Sequence, residues 1–233
     1  MIKMIKQYNA YTSKKIFAAA YVLFPAVLLS VYFVLAVIFR NSESLIFVLS
    51  FVMMMALIYS IIVICLSDRY NIGTILVNNA QINEMIKTSP IGKRMILNVT
   101  KWDIFQRFVL IGVIHLGLFI PRAIRAEEEL LPLILIYILG IVSSHTVTSL
   151  LCWICRKIEN TTVSTIIYSV GFIWLIPTMI MIILPFEKVS IVFLIVSTFI
   201  YLAADVVINV IGMILMKNFI NKEWYNDRNS EGK

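Results

Sequence analysis

LLPLILIYILGIVSSHTVTSLLCWI, residues 130–154, carries no charged side chain and is long enough, as a helix, to cross about 30 Å of hydrocarbon. The rest of the chain has the same character, since 61% of its 233 residues are hydrophobic and 14% are charged. Soluble domains are roughly half apolar and a quarter charged. A soluble fold of this size has no room to bury the surplus, so the sequence predicts an all-α integral membrane protein.

Five further apolar stretches have the length of a membrane span. Together they predict a single transmembrane domain over residues 1–233, with a cytoplasmic loop at 67–101 and a cytoplasmic tail at 217–233. Because the apolar part of the third span is short, we expect it to continue a helix that begins in the cytoplasm. Pro25 predicts a kink in the first span. The six predicted spans are 16–39, 45–66, 102–121, 130–154, 163–185 and 190–216.

The distribution of Lys and Arg predicts the orientation of the chain. Sixteen of the 20 basic residues fall on the side that holds both termini, which the positive-inside rule places in the cytoplasm. The net charge of +7 then fits basic loops beside anionic lipid, and no aromatic-basic platform indicates nucleic-acid binding. The Ile-, Lys- and Asn-rich composition indicates a low-GC bacterium. The predicted location is the bacterial cytoplasmic membrane, crossed several times.

The loop between the second and third spans carries the clearest local signals. Residues 74–87 have a helical pattern, and Ser89 with Pro90 marks a second helix start, because Ser caps a helix and Pro fits its first turn. The predicted helix–turn–helix within 67–101, here called the elbow, has a shape suited to docking another protein. The alternative is a loop on the membrane surface without a partner.

The run KTSPIGKRMILNVTKW, residues 87–102, resembles the segment before the third span of type 2 ABC exporter permeases. The family pattern there is approximately Ser-Leu-Pro-[Ile/Val]-[Ser/Thr]-Arg. Pro90 and Ile91 match this pattern. Ser89 stands where Leu is usual, Gly92 replaces the usual Ser or Thr, and Lys93 replaces the usual Arg. The basic N-terminal segment, the chain length and the predicted spans also agree with the family.

The resemblance implies two permease subunits, identical or different, whose elbows bind two separate ATPase subunits. ATP used by those partners would drive a hydrophobic or amphipathic substrate outward, and a peptide toxin or antibiotic is one such substrate. The chain itself is expected to be no enzyme and to hold no cofactor or metal. It has no ATP-binding loop of its own, because Arg94 stands where a phosphate-binding loop needs Ser or Thr. A non-transporting scaffold or bacteriocin-immunity protein is the alternative. The implied ATPase contacts are Ser89, Pro90, Ile91, Lys93 and Arg94.

Polar residues inside the predicted spans are the second group of candidates. Asp205 is the only acid well inside a span, and a carboxylate there should face the bundle or a watery path. The helical rise places Asp205 and His145 at a similar depth, about 22 Å from the outer ends of their spans, which permits a hydrogen-bonded pair. Asn209, one turn after Asp205, is placed to join them. The pair is interpreted as a polar gate or proton site, as a structural contact, or as the centre of an intramembrane enzyme.

Two further patterns have structural interpretations. Gly140, Ser144 and Thr148 recur every four residues, a spacing that lets helices approach closely and that also suits the lining of a transport path. Cys152 and Cys155 have a redox-like spacing, but they fall at a helix end that faces the reducing cytoplasm. We therefore expect these cysteines to be structural.

Overall fold

The computed structural model describes residues 18–38, 65, 68, 89–125, 130–156, 158, 161–171, 173 and 190–223. All regular structure in these ranges is helical, which confirms the all-α prediction for the described part of the chain. The predicted helix at 74–87, nearly all of the second span, most of the fifth span and the end of the tail lie outside these ranges. The number of spans therefore stays a prediction.

A π-helical turn and five α-helices make up the described fold. The π-helical turn ends two residues before Pro25, the residue at which a kink was predicted, and the proline nitrogen cannot donate to the helical ladder. The elements are the turn Ala18–Leu23, α1 (Phe24–Ile38), α2 (Gly92–Arg125), α3 (Leu130–Cys155), α4 (Thr161–Gly171) and α5 (Ile191–Glu223).

Helix α2 is a single rod of 34 residues that begins at the predicted cap. The N–H of Ile91 donates to Ser89 Oγ at 3.4 Å, and the N–H of Gly92 donates to the Ser89 carbonyl at 3.0 Å. The helix then continues into the predicted third span, as expected from the short apolar core of that span. The helix runs on to residue 125, past the position at which the predicted third span ends. Pro121 has no N–H to donate to the helical ladder, yet the helix continues through it.

Helix α3 lies at the centre of the described bundle and packs against α2, α4 and α5. In its most apolar stretch 61% of the residues are buried, against 6% in the corresponding stretch of α5. The predicted small-residue stripe of Gly140, Ser144 and Thr148 is buried throughout. Small side chains on this face let the neighbouring helices approach closely, which is the packing interpretation of the stripe.

Two of the described helices are long and apolar enough to cross a membrane, Leu130–Cys155 and Ile191–Asn221. Helix α5 continues past the predicted end of the sixth span at 216. The reason is tertiary, because Met216 and Ile220 remain buried in a cluster with Ile96 and Val99 of α2. This cluster joins the first turns of α2 to the last turns of α5.

Candidate functional site

His145 lies at the junction of three helices and is 2% exposed. Its Nδ1 atom lies 2.8 Å from Asp205 Oδ1 on α5, and its Nε2 atom lies 3.3 Å from the carbonyl oxygen of Ile104 on α2. The hydrogen bond that the sequence permitted between His145 and Asp205 is therefore present. Ile104 is a partner that the sequence did not indicate, because backbone acceptors carry no sequence signal.

Asn209 extends this contact along α5. Its Nδ2 group donates to the Asp205 carbonyl at 3.0 Å and to Asp205 Oδ1 at 3.2 Å, and lies 3.5 Å from Ser149 Oγ. The indole N–H of Trp153 donates to Asn209 Oδ1 at 3.3 Å. His145, Asp205, Asn209 and Trp153 therefore form a continuous chain of hydrogen bonds between α3 and α5, here called the His145 network.

The other groups near the His145 ring are an aromatic ring and a hydroxyl that is hydrogen-bonded to backbone carbonyl groups. The ring of Phe108 meets it edge to face, with centroids 5.2 Å apart and an interplanar angle of 86°. Thr146 satisfies its hydroxyl on the carbonyl oxygens of Val142 and Tyr201, at 2.8 and 3.2 Å. The Asp205 side chain is 16% exposed, so it is the acidic end of the network that reaches the surface of the described bundle.

A second polar site combines two acids and two arginines, each at most 2% exposed. Arg156 Nε donates to Asp68 Oδ2 at 3.0 Å, and Arg156 Nη2 donates to Asp68 Oδ1 at 2.5 Å and to Asp103 Oδ2 at 3.1 Å. Arg107 Nε lies 3.2 Å from Asp103 Oδ2. These four residues, here called the ion cluster, connect α2, the end of α3 and the helical residue at position 68, and their formal charges cancel.

The electrostatics of Asp68 show why the cluster needs both arginines. Burial by itself would raise the pKa of this carboxyl, but the guanidinium groups of Arg156 and Arg107 outweigh burial and hold the pKa below its ordinary value of 3.8. The same pairing acts in reverse on Arg156, whose pKa burial would lower and Asp68 raises above its ordinary value. Asp68 and Arg156 are therefore both ionised at neutral pH.

Trp153 joins the two polar sites. The guanidinium carbon of Arg156 lies 4.4 Å from the centroid of the Trp153 ring, a cation–π distance, while the indole N–H of the same residue donates to Asn209. Gly212 on α5 supplies the room for this ring, because a Cβ at position 212 would overlap the indole. One side chain thus contacts both the ion cluster and the His145 network.

The ion cluster was not predicted from the sequence. Arg107 and Arg156 entered the sequence analysis only among the basic residues counted on the cytoplasmic side, and Asp103, at the edge of the predicted third span, was not singled out, whereas all three are buried. The spacing of Asp103 and Arg107, at i and i+4 of one helix, was a usable signal. Asp68 and Arg156 are 88 positions apart, and nothing local indicates that they pair.

The candidate ATPase contacts lie at the start of α2 and remain close together. Ile91 is 59% exposed, and Pro90 and Arg94 are exposed as well, whereas Ser89 and Lys93 are partly buried. The opposite side of these turns carries the buried residues that pack on α5. The start of α2 therefore has one face held by the bundle and one face open. The preceding half of the predicted elbow, residues 74–87, lies outside the described residues.

The three cysteines and His115 each contact another group within the bundle. Cys152 Sγ lies 4.0 Å from Cys65 Sγ, and Cys155 Sγ contacts the Ser164 carbonyl at 3.9 Å, so the spacing of Cys152 and Cys155 does not place them against each other. His115 Nδ1 donates to the Ile111 carbonyl at 2.8 Å. Within the described ranges, no three His, Cys, Asp or Glu side chains converge in a way that could hold a metal ion.

Comparisons of the chain with protein-family models, with curated proteins and with solved structures find no match.

Proposed function

We propose that this chain is the membrane-spanning permease subunit of an ABC-type exporter that works with a separate ATPase. The observation that carries the proposal is the continuity of α2. This helix starts at an open face with an exposed Ile91 and Arg94, and it contacts the His145 network through Ile104 and the ion cluster through Asp103. A rigid helix between a docking face and buried polar contacts is the element that an external motor needs.

The exposed surface of the bundle supports a membrane location. On α5 the exposed fractions reach 68% at Val192, 66% at Phe199 and 63% at Ile200, and the apolar residues of α1 are similarly open. Surface of this kind is stable in hydrocarbon and costly in water. Together with the positive-inside count, it supports a multi-pass protein of a bacterial cytoplasmic membrane with both termini inside.

The geometry of α2 also supports a coupling role. From Ile91 to Ile104 the helical rise amounts to ~20 Å, so a displacement of the open end reaches the His145 network along a single rod. An exposed apolar residue beside a cation is typical of a helix that docks into a groove of a partner. The partner would be the ATPase, which supplies ATP hydrolysis that this chain is not expected to perform.

The two-subunit arrangement and the substrate class complete the proposal. A second permease subunit, identical or different, would form the other half of the pathway. A hydrophobic or amphipathic molecule, such as a peptide toxin or antibiotic, would suit short outer loops and an apolar bundle.

The experiment is purification of the tagged full chain from its native membranes in mild detergent, with identification of co-purifying proteins by mass spectrometry. We expect an ABC-type ATPase at near one-to-one stoichiometry. Its absence from preparations of the intact, abundant chain would overturn the exporter proposal and favour the scaffold or immunity alternative.

Matched charge variants sharpen this test. Arg94→Glu places an acid on the open face of α2 and should reduce ATPase recovery at least tenfold, and Ile91→Ser should do the same by removing the apolar anchor. Lys217→Glu reverses an exposed cation on α5, outside the proposed face, and should leave recovery unchanged. Equal losses in all three variants would show a nonspecific charge or folding effect and would reject the assigned contact face.

A further inference from the structure

We propose that His145 and Asp205 together form an exchangeable proton-binding site that ties α2 to α3 and α5. Two oxygen atoms lie within hydrogen-bond distance of the His145 ring nitrogens. The carbonyl oxygen of Ile104, 3.3 Å from Nε2, accepts hydrogen bonds and donates none, so this contact requires a proton on Nε2. Nε2 is then a donor, which leaves Nδ1 to be assigned.

His145 Nδ1 lies 2.8 Å from Asp205 Oδ1. A hydrogen bond at this distance needs one proton, held either by the ring or by the carboxyl group. With a proton on Nε2 as well, the pair is either an imidazolium facing a carboxylate or a neutral imidazole facing a carboxylic acid. In both forms the pair holds two protons and has no net charge, which suits an apolar environment.

Loss of one proton from the pair removes one of the two hydrogen bonds of the His145 ring. The remaining proton can serve the Asp205 contact or the Ile104 contact, but not both. If it stays on Nδ1, the lone pair of Nε2 faces the lone pairs of the Ile104 carbonyl, and the link between α3 and α2 is lost. If it stays on Nε2, the Nδ1 lone pair faces a carboxylate, and the link between α3 and α5 is lost. Proton release therefore breaks a helix contact in either case.

The groups that face the pair are consistent with this assignment. From α5, Asn209 donates to Asp205 Oδ1, and from α2 the ring of Phe108 packs edge to face on the imidazole. Ser149 of α3 contacts Asn209 and is uncharged. Among these described contacts Asp205 is the one titratable partner of His145, so the proton state of the site is a property of this pair.

Asp205 also gives the site a route to its surroundings. His145 is 2% exposed, whereas Asp205 is 16% exposed and lies on α5, whose surface is largely open. A proton can therefore enter or leave through the carboxyl group while the imidazole stays within the bundle. This proposal rests on the geometry of the pair and does not depend on the exporter proposal.

The chain contains an internal reference for the measurement. His115, the other of its two histidines, donates from Nδ1 to its own helix at 2.8 Å, and its buried Nε2 has no hydrogen-bond partner among the described residues. The His115 ring is therefore a neutral imidazole whose Nε2 carries no proton. The two histidines should give different nitrogen spectra in the same sample.

The test is nitrogen NMR of the histidine-labelled full chain in detergent micelles or lipid nanodiscs, from about pH 5 to about pH 9. His115→Gln and His145→Gln assign the signals. We expect His115 to show one bare nitrogen at every pH. At low pH His145 should show either two protonated nitrogens or a protonated Nε2 with the carboxylic-acid infrared band of Asp205, and one proton should be lost as the pH rises.

Asp205→Asn is the decisive variant, because an amide cannot form the ion pair or supply the acid proton. It should leave His145 with one bare nitrogen throughout the pH range, while the His115 signal, as a control for folding, stays unchanged. A wild-type His145 with a bare Nε2 at all pH values would overturn the proton site. A His145–Asp205 pair that keeps both protons over the whole pH range would overturn the proposed proton exchange and would show a permanent structural ion pair.

Discussion

Replacing Arg156 with Gln tests how much the ion cluster contributes to the stability of the fold. The substitution removes two hydrogen bonds to Asp68 and one to Asp103 and changes the formal charge of the ion cluster from zero to minus one. Both acids stay buried. The effect should therefore exceed that of an ordinary surface substitution.

The expected size follows from the general cost of leaving a buried charge without its partner. Breaking a buried ion pair from one side costs roughly 3–5 kcal/mol of unfolding free energy. For soluble domains of roughly this length, 1 kcal/mol shifts the Tm by about 2–4 °C. On that scale Arg156→Gln should lower the Tm by roughly 6–20 °C.

The assay is thermal unfolding in detergent, followed with a dye that fluoresces on reaction with thiols. The chain suits this assay because Cys65, Cys152 and Cys155 are all free and buried, so that unfolding exposes them. Lys101→Gln is the matched control, since Lys101 is an exposed cation on α2 close to Asp103, and its loss should change stability by less than about 0.5 kcal/mol.

The pH dependence of the Tm difference between wild type and Arg156→Gln distinguishes the loss of an ion pair from a simple packing defect. In the wild type the pKa of Asp68 lies below its ordinary value, so its contribution to stability is present at neutral pH and is lost as the pH falls through the folded-state pKa. Without Arg156, burial should raise the pKa of Asp68, and protonation then relieves the buried charge. The Tm difference between the two proteins should therefore narrow as the pH falls.

Either of two results would contradict the predicted role of Arg156. The first is a Tm of Arg156→Gln that matches the Lys101→Gln control at neutral pH. The second is a Tm difference that widens on acidification. The double variant Asp68→Asn with Arg156→Gln should recover part of the loss, because it removes both members of the closest pair.

The remaining predictions concern packing and capping. Gly212→Ala should lower stability by about 1–3 kcal/mol, because its Cβ overlaps the Trp153 indole, whereas Gly112→Ala, which meets open space, should be neutral or slightly stabilising in the same thermal assay. Trp153→Phe keeps an aromatic ring but removes the donor to Asn209, and a loss of about 1 kcal/mol is expected; no change in Tm would mean that this bond contributes nothing. Ser89→Ala should speed amide hydrogen exchange in the first turn of α2, and unchanged exchange would reject Ser89 as the cap.

The contact between His145 and Asp205 shows how far sequence reasoning reaches. Depth along a helix follows from the rise per residue, so the sequence alone places the two side chains at similar levels. Which face of each helix meets the other depends on helix packing. The bond from His145 to the Ile104 carbonyl, and the role of Trp153 between the two polar sites, are visible only in the folded bundle.

The helix boundaries also divide into those that local sequence predicts and those that packing decides. The start of α2 was predictable because a cap and a proline act within one turn. The helices themselves continue beyond 121 and 216, where the predicted third and sixth spans end. Met216 and Ile220 illustrate this, because their burial against the first turns of α2 holds α5 in helical form past its most apolar stretch.

Composition, periodicity and capping are local properties, and they were enough to predict the helical character, the long apolar segments and the start of α2. The burial of charge is not local. Arg107 and Arg156 look in the sequence like ordinary basic residues near the ends of spans, yet both lie within the bundle beside Asp68 and Asp103. A charged side chain leaves water only where distant segments supply its counter-charge and hydrogen bonds, and folding is what brings those segments together.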